Sequence, residues 1–89
     1  MSLWKYKYTA YARKELDKLD PPIKNRVDDY LKDICMLSDP TVRGKGLSGS
    51  RAGQWRYRVG DYRIICEIQG DVFLILVLGV GHRKRVYNH

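Results

Sequence analysis

Seven side chains in the second half of this sequence have types and spacings that suit a phosphodiester: Arg56, Arg58, Arg63, His82, Arg83, Arg85 and Tyr87. Arg56 and Arg58 are two residues apart in an alternating stretch, so they share one face of a strand. Arg63 follows the turn signal Gly60-Asp61, and Arg83 and Arg85 leave the last apolar run beside His82 and Tyr87. If these strands are neighbours, five cations, an imidazole and a phenol gather at one edge of a concave surface. Like charges so gathered repel, and an anion between them relieves the repulsion. Cleaving an RNA chain needs a base for the 2′-OH, cations for the crowded phosphorane and an acid for the leaving 5′-oxygen. Arginine fills the second role by bidentate contact with phosphate oxygens. It is a poor proton shuttle, whereas histidine is the side-chain type suited to general acid–base work, which singles out His82. Tyr87 is placed to stack on a base or orient the phosphate. Each also has a plainer reading, as solvated surface or packing. These residue types favour nucleic-acid binding and leave catalysis open.

The charge distribution agrees. The chain carries +7 overall; residues 1–40 hold eight Lys/Arg against seven Asp/Glu, and residues 41–89 hold nine against three. The excess cations fall among predicted strands, where alternation collects them on a face attractive to polyanions. Cys35 and Cys66 lack CxxC spacing and fall on apolar faces, which reads as two buried thiols. With two histidines and no His/Cys/Asp cluster, no metal site is expected. No apolar run approaches the roughly 20 residues of a membrane span. Lys5 and Lys7 interrupt any secretory pattern, so a cytoplasmic protein is expected.

The elements that must position these residues emerge from periodicity. With 89 residues, 1–89 is expected to form a single domain. Trp4, Tyr6 and Tyr8 alternate with Lys5 and Lys7 as in a half-buried strand. Thr9 is a helix cap, and Tyr8, Ala12, Leu16 and Leu19 continue at helical spacing. Asp20-Pro21-Pro22 opens a second helix with the stripe Ile23, Val27, Tyr30, Leu31 and Ile34. Residues 41–53, with four glycines and the cations Arg43, Lys45 and Arg51, read as a loop. Strands then run from Gln54, from Tyr62 after Gly60-Asp61, and from Val72 after Gly70-Asp71. The last is apolar on both faces and is expected in the sheet interior. The prediction is an α+β fold: an N-terminal strand and a helical hairpin packed on a mainly antiparallel sheet.

Two motifs carry a resemblance. The segment Gln54-Trp-Arg-Tyr-Arg-Val-Gly-Asp-Tyr-Arg-Ile-Ile-Cys-Glu-Ile resembles the middle of RelE/ParE-superfamily toxins. The ending Val80-Gly-His-Arg-Lys-Arg-Val-Tyr87 resembles the RelE branch in particular. The helix rhythm Ala12, Leu16, Leu19 and the Gly46-Leu-Ser-Gly49 stretch extend the likeness along nearly the whole chain. The resemblance implies a RelE-like fold, similar to microbial ribonucleases. It implies the toxin of a type II toxin–antitoxin system, which cleaves messenger RNA in the ribosomal A site without metal or other cofactor and so inhibits translation.

By position, Arg56 and Arg58 match the family's strand cations, Arg63 its phosphate-binding arginine and Arg83 its C-terminal arginine. Tyr87 matches the tyrosine that stacks on or orients the substrate. Lys45, Arg51, Lys84 and Arg85 are expected to add RNA contacts. Two departures leave the general base open. Arginine stands where some members have lysine, and His82 adjoins Arg83. Position favours Arg58, and chemistry favours His82. The implied partners are a cognate antitoxin, the ribosome and mRNA, with no membrane and no direct recognition of operator DNA. The competing readings are a ParE-like gyrase inhibitor and an inactive module that binds nucleic acid or antitoxin.

Overall fold

A computed structural model describes residues 3–85. The chain runs through β1 (Lys5–Tyr8), α1 (Ala10–Asp17), α2 (Pro21–Cys35), β2 (Lys45–Gly46), β3 (Trp55–Val59), β4 (Tyr62–Gln69) and β5 (Leu74–His82). These are the α+β elements the periodicities predict. One is new: β2 is a two-residue strand inside the stretch read as a loop. It pairs Lys45 with Arg56 and Gly46 with Trp55. The Trp55 indole N–H donates to the Arg43 carbonyl at 2.8 Å, which fixes the strand's approach. Gly44 allows it: φ is +79°, and a Cβ there would lie 2.4 Å from the Arg56 carbonyl oxygen.

The sheet order is β1-β5-β4-β3-β2. The β1–β5 pair is parallel, and the other three pairs are antiparallel. β5 is therefore interior, as its two apolar faces imply. It begins two residues later than expected, because Gly70–Val72 form a short 3-10 turn and Phe73 takes a left-handed φ of 52°.

Both helices lie on one face of the sheet. Ala12 and Leu16 from α1, and Val27, Leu31 and Ile34 from α2, meet Tyr57, Ile64, Cys66, Ile75, Val77 and Val80 from the strands. Thr9 caps α1, its hydroxyl accepting from the Ala12 N–H at 3.0 Å. Asp20 precedes α2 without a capping bond, and Pro21 opens the helix. Asp28 of α2 ties the hairpin to β1, accepting from the Tyr6 hydroxyl at 2.6 Å and the Tyr8 hydroxyl at 3.2 Å. Cys35 and Cys66 are buried thiols, and burial pushes both above their ordinary pKa. Among the described residues, no helix is long and apolar enough to cross a membrane.

Candidate functional site

Strand register assigns each side chain to a face. Tyr57, Ile64 and Cys66 lie in the core beneath the helices, so the alternate positions of β3 and β4 face the other way. On that helix-free face Arg58 stands directly opposite Arg63, and Arg56 stands opposite both Ile65 and Lys45. The same face carries Lys5 and Lys7 on β1, beside Leu74 and Leu76 of β5. Among the described strand positions on it, the one acid is Glu67.

The four cations nearest one another by register differ in how they are held. Arg58 and Lys45 are exposed, and Arg56 is half-buried. Arg63 is 8% exposed, and its Nη1 donates to the carbonyls of Gly60 at 3.1 Å and Tyr62 at 3.0 Å. It therefore braces the β3–β4 turn as well as carrying charge to the face. That turn needs the left-handed φ of +58° at Gly60, and the Arg26 guanidinium of α2 comes within 3.2 Å of where a Cβ would stand. Lys45, Arg56 and Arg58 line a hollow of about 200 Å³ with Gly44 and Tyr30. Tyr30, which helical spacing assigns to the stripe of α2, thus adds a phenol beside the arginines. Burial pushes its pKa up, partly offset by the charge and hydrogen bond of Arg43. The Arg43 guanidinium stands 5.9 Å from its ring centre.

The expected single cluster is divided. Tyr62 pairs with His82, and Tyr62 opposes Val59 on the helix-covered side. The His82 ring sits 5.6 Å from that of Tyr62, edge to face. Its Nδ1 accepts from the Lys84 N–H at 3.2 Å, which occupies one of the two nitrogens. His82, Lys84 and Arg85 line a cleft of about 530 Å³ with Glu15 of α1 and with Lys18 and Leu19 just after that helix. This corrects the expectation that the imidazole joins Arg56, Arg58 and Arg63. The cause is an irregularity in β5: Cys66 pairs with Val77 but Ile65 with Gly79, so Leu78 is an extra residue. Such a bulge reverses the alternation beyond it and turns His82 toward the helices.

Arg83 leaves the strand at the end of the sheet. Its N–H donates to the Asp61 carbonyl at 2.8 Å, and its Nε lies 4.0 Å from the Asp61 carboxylate. Arg51 belongs to a 3-10 turn, with Nη1 3.4 Å from the Gln54 side-chain oxygen. Tyr87 lies outside the described residues. No group of three or more His, Cys, Asp or Glu is gathered for a metal ion among the described residues. What the helix-free face offers is charge for phosphate, with a phenol at its edge.

Residues 6–87 match the family model described as the ParE toxin of the type II toxin–antitoxin system parDE. The chain belongs to this toxin family. A curated relative, Toxin RelG of Mycobacterium tuberculosis, is 32% identical over 82 residues, covering 91% of this chain and 92% of RelG. Among solved structures, the toxin–antitoxin complex RelBE2 of M. tuberculosis matches with a TM-score of 0.81 at 31% identity, covering 90% of this chain and 98% of that one. The archaeal RelE–RelB complex of Pyrococcus horikoshii matches at 0.73 and 25% identity, covering 94% and 99%. The toxin fold is thus the RelE one. Within it, three residues that the sequence pattern does not mark as functional contribute to the site's surroundings: Tyr30, Arg26 and Glu15. The only sequence signal for any of them is Tyr30's place as the polar-tipped member of an apolar stripe.

Proposed function

We propose that this toxin cleaves messenger RNA in the ribosomal A site, thereby inhibiting translation, and that a cognate antitoxin silences it. The observation that carries the reading is the cationic row on the helix-free sheet face, where Lys45 opposes Arg56 and Arg58 opposes Arg63. A row of cations in which Lys45 and Arg58 are exposed, Arg56 is half-buried and Arg63 is buried behind them is suited to tracking a phosphate backbone.

In this reading Arg56, Arg58, Arg63 and Lys45 bind the phosphates around the scissile bond. The 2′-hydroxyl gives its proton to water and attacks phosphorus, the bond to the 5′-oxygen breaks and that oxygen takes a proton from water, while Arg58 and Arg83 stabilise the charge that develops on the phosphorane. Tyr87 is assigned by its match to the family's ending, as the group that stacks on or orients the substrate. His82 is given no proton transfer, since its ring belongs to the helix-side cleft with Tyr62. Lys84 and Arg85 on that side, and Arg51 at the loop, extend the basic surface toward flanking RNA. No cofactor is required, because the nucleophile is the substrate's own hydroxyl. A toxin that works on ribosomes acts in the cytoplasm. The antitoxin assignment is supported by the RelBE2 and RelE–RelB complexes, in which proteins of this fold are paired with antitoxins. Operator recognition is left to the antitoxin.

A second reading is inhibition of DNA gyrase, the activity that a ParE-like toxin implies; the family model that the chain matches is that of a ParE toxin. Primer extension on a defined mRNA in a translating extract separates the two. In-frame breaks with the wild-type chain that vanish in Arg83→Ala support the nuclease. Intact mRNA with toxicity retained supports the gyrase reading, and loss of supercoiling activity is then the next measurement.

A further inference from the structure

We propose that Glu15 of α1 is a positioning residue for the arm that carries Arg83, acting by holding the bulge in β5. The proposal rests on the reading that Arg83 belongs to an RNA-cleaving site. Three observations carry it. First, β5 contains one residue more than β4 can pair, between the Cys66–Val77 and Ile65–Gly79 partners. Second, the Val80 N–H donates to Glu15 Oε1 at 3.0 Å, across 65 residues of sequence. Val80 is 1% exposed, so bulk water cannot readily replace that acceptor. Third, β5 has a glycine where the carboxylate approaches: a Cβ on Gly79 would lie 3.1 Å from Glu15 Oε1.

The bulge sets the facing of every strand residue beyond it. In a regular strand the alternation set by Ile75 and Val77 would put Gly79 and Gly81 toward the helices and His82 on the helix-free face. The extra residue instead puts Val80 in the core and His82 against Tyr62. The arm then turns, with the Arg83 N–H on the Asp61 carbonyl and the Arg85 N–H on the His82 carbonyl, both at 2.8 Å. An insertion with an unpaired buried N–H is unstable against realignment unless something accepts that proton. Glu15 does so from the neighbouring helix, and the bond forms only in the bulged register. The side chain thereby selects the register in which Arg83 meets Asp61.

Glu15→Ala, Glu15→Gln and Tyr6→Phe test this, the last as a stability control that loses a hydrogen bond to Asp28 far from the arm. Cleavage rates are measured in a reconstituted translation reaction, with thermal midpoints and amide hydrogen exchange of the same proteins. Glu15→Ala is expected to lower kcat about 10-fold to 100-fold, as small misplacements of reacting groups do. Glu15→Gln keeps an acceptor oxygen and is expected to recover most of that loss. Tyr6→Phe is expected to lower the midpoint and leave kcat near wild type. Exchange at Val80, Arg83 and Arg85 should speed up in Glu15→Ala and not in Glu15→Gln. Gly79→Ala, whose Cβ crowds the carboxylate at 3.1 Å, should move kcat and exchange in the same direction as Glu15→Ala and serves if that variant does not fold. Wild-type kcat in Glu15→Ala overturns the proposal, as does a loss that simply tracks the thermal midpoint across all variants. A wild-type chain that cleaves nothing overturns the nuclease reading instead. The exchange pattern then still decides whether Glu15 holds the arm.

Discussion

Arg58 and Arg63 stand side by side yet do different work, and the difference is burial. Arg58 is exposed, so its guanidinium costs little to keep and its removal removes charge alone. Arg63 is buried and hydrogen-bonded to two turn carbonyls. Arg58→Ala is therefore expected to reduce mRNA cleavage about 100-fold, comparable to deleting one charge-stabilising donor, with the thermal midpoint nearly unchanged. Arg63→Ala is expected to reduce cleavage and also to cost about 1–3 kcal/mol of stability, read by urea denaturation. Equal stability of the two variants would contradict this division. The placement of His82 leads to a further expectation. Because its ring faces Tyr62 and its Nδ1 accepts from Lys84, His82→Ala is expected to cleave at close to the wild-type rate. A loss of about 100-fold with an unchanged thermal midpoint would return the general base to this residue.

Among the elements, β1 is tied to α2 by polar contacts. It is a four-residue edge strand whose tyrosines reach across to Asp28 of α2. Burial pushes the Asp28 carboxyl up, but hydrogen bonds from Tyr6, Lys32 and Tyr8 and the Lys32 charge outweigh it and hold the group below its ordinary value. Burial pushes the Tyr6 and Tyr8 phenols up, and the Asp28 carboxylate adds to it. The signs give opposite windows. A depressed carboxyl contributes stability that is present above its unfolded pKa of about 4 and lost as the pH falls further. A raised phenol contributes stability that is present below about pH 10 and lost as the pH rises through its folded value. Asp28 is part-exposed, so solvent screens the effect to about 1 kcal/mol or less. Between neutral pH and acid, the wild-type chain should thus lose more stability than Asp28→Asn. Identical acid sensitivity in the two, by denaturant titration, would show that Asp28 is not the group responsible.

For the whole molecule, the relevant quantity is how its net charge of +7 is arranged. The helices cover one sheet face, and the helix-free face gathers Lys5, Lys7, Lys45, Arg56, Arg58 and Arg63 against Glu67. Binding to a single-stranded RNA through about four of these cations should give a plot of log affinity against log salt with a slope of roughly −3. Arg58→Ala should make that slope shallower by about 0.7. A slope near zero would mean that the face does not bind by releasing counterions, and the phosphate reading of the row would fall.

The order of elements, the identity of the core and the shared strand face of Arg56 and Arg58 were legible in the sequence, because they depend on local periods of two and of about four. The Thr9 cap and the Gly60-Asp61 turn were legible for the same reason: one residue's chemistry dictates its own neighbourhood. The two motifs, Gln54 to Ile68 and Val80 to Tyr87, also carried the family, which the comparisons bear out. The short strand β2 was not legible, since two residues, Lys45 and Gly46, have no period; only the edge of β3 makes them a strand. Nor was the role of Glu15, a charged residue on a helix whose partner lies 65 positions away. The face of His82 was decided by tertiary structure alone. Alternation propagates along a strand until one extra residue resets it, and whether Leu78 is paired or bulged depends on which neighbours accept the hydrogen bonds. Sequence determined that cations, an imidazole and a phenol are present near the end of the sheet. The bulge, with a carboxylate from α1 to hold it, decided that His82 stands apart from Arg56, Arg58 and Arg63.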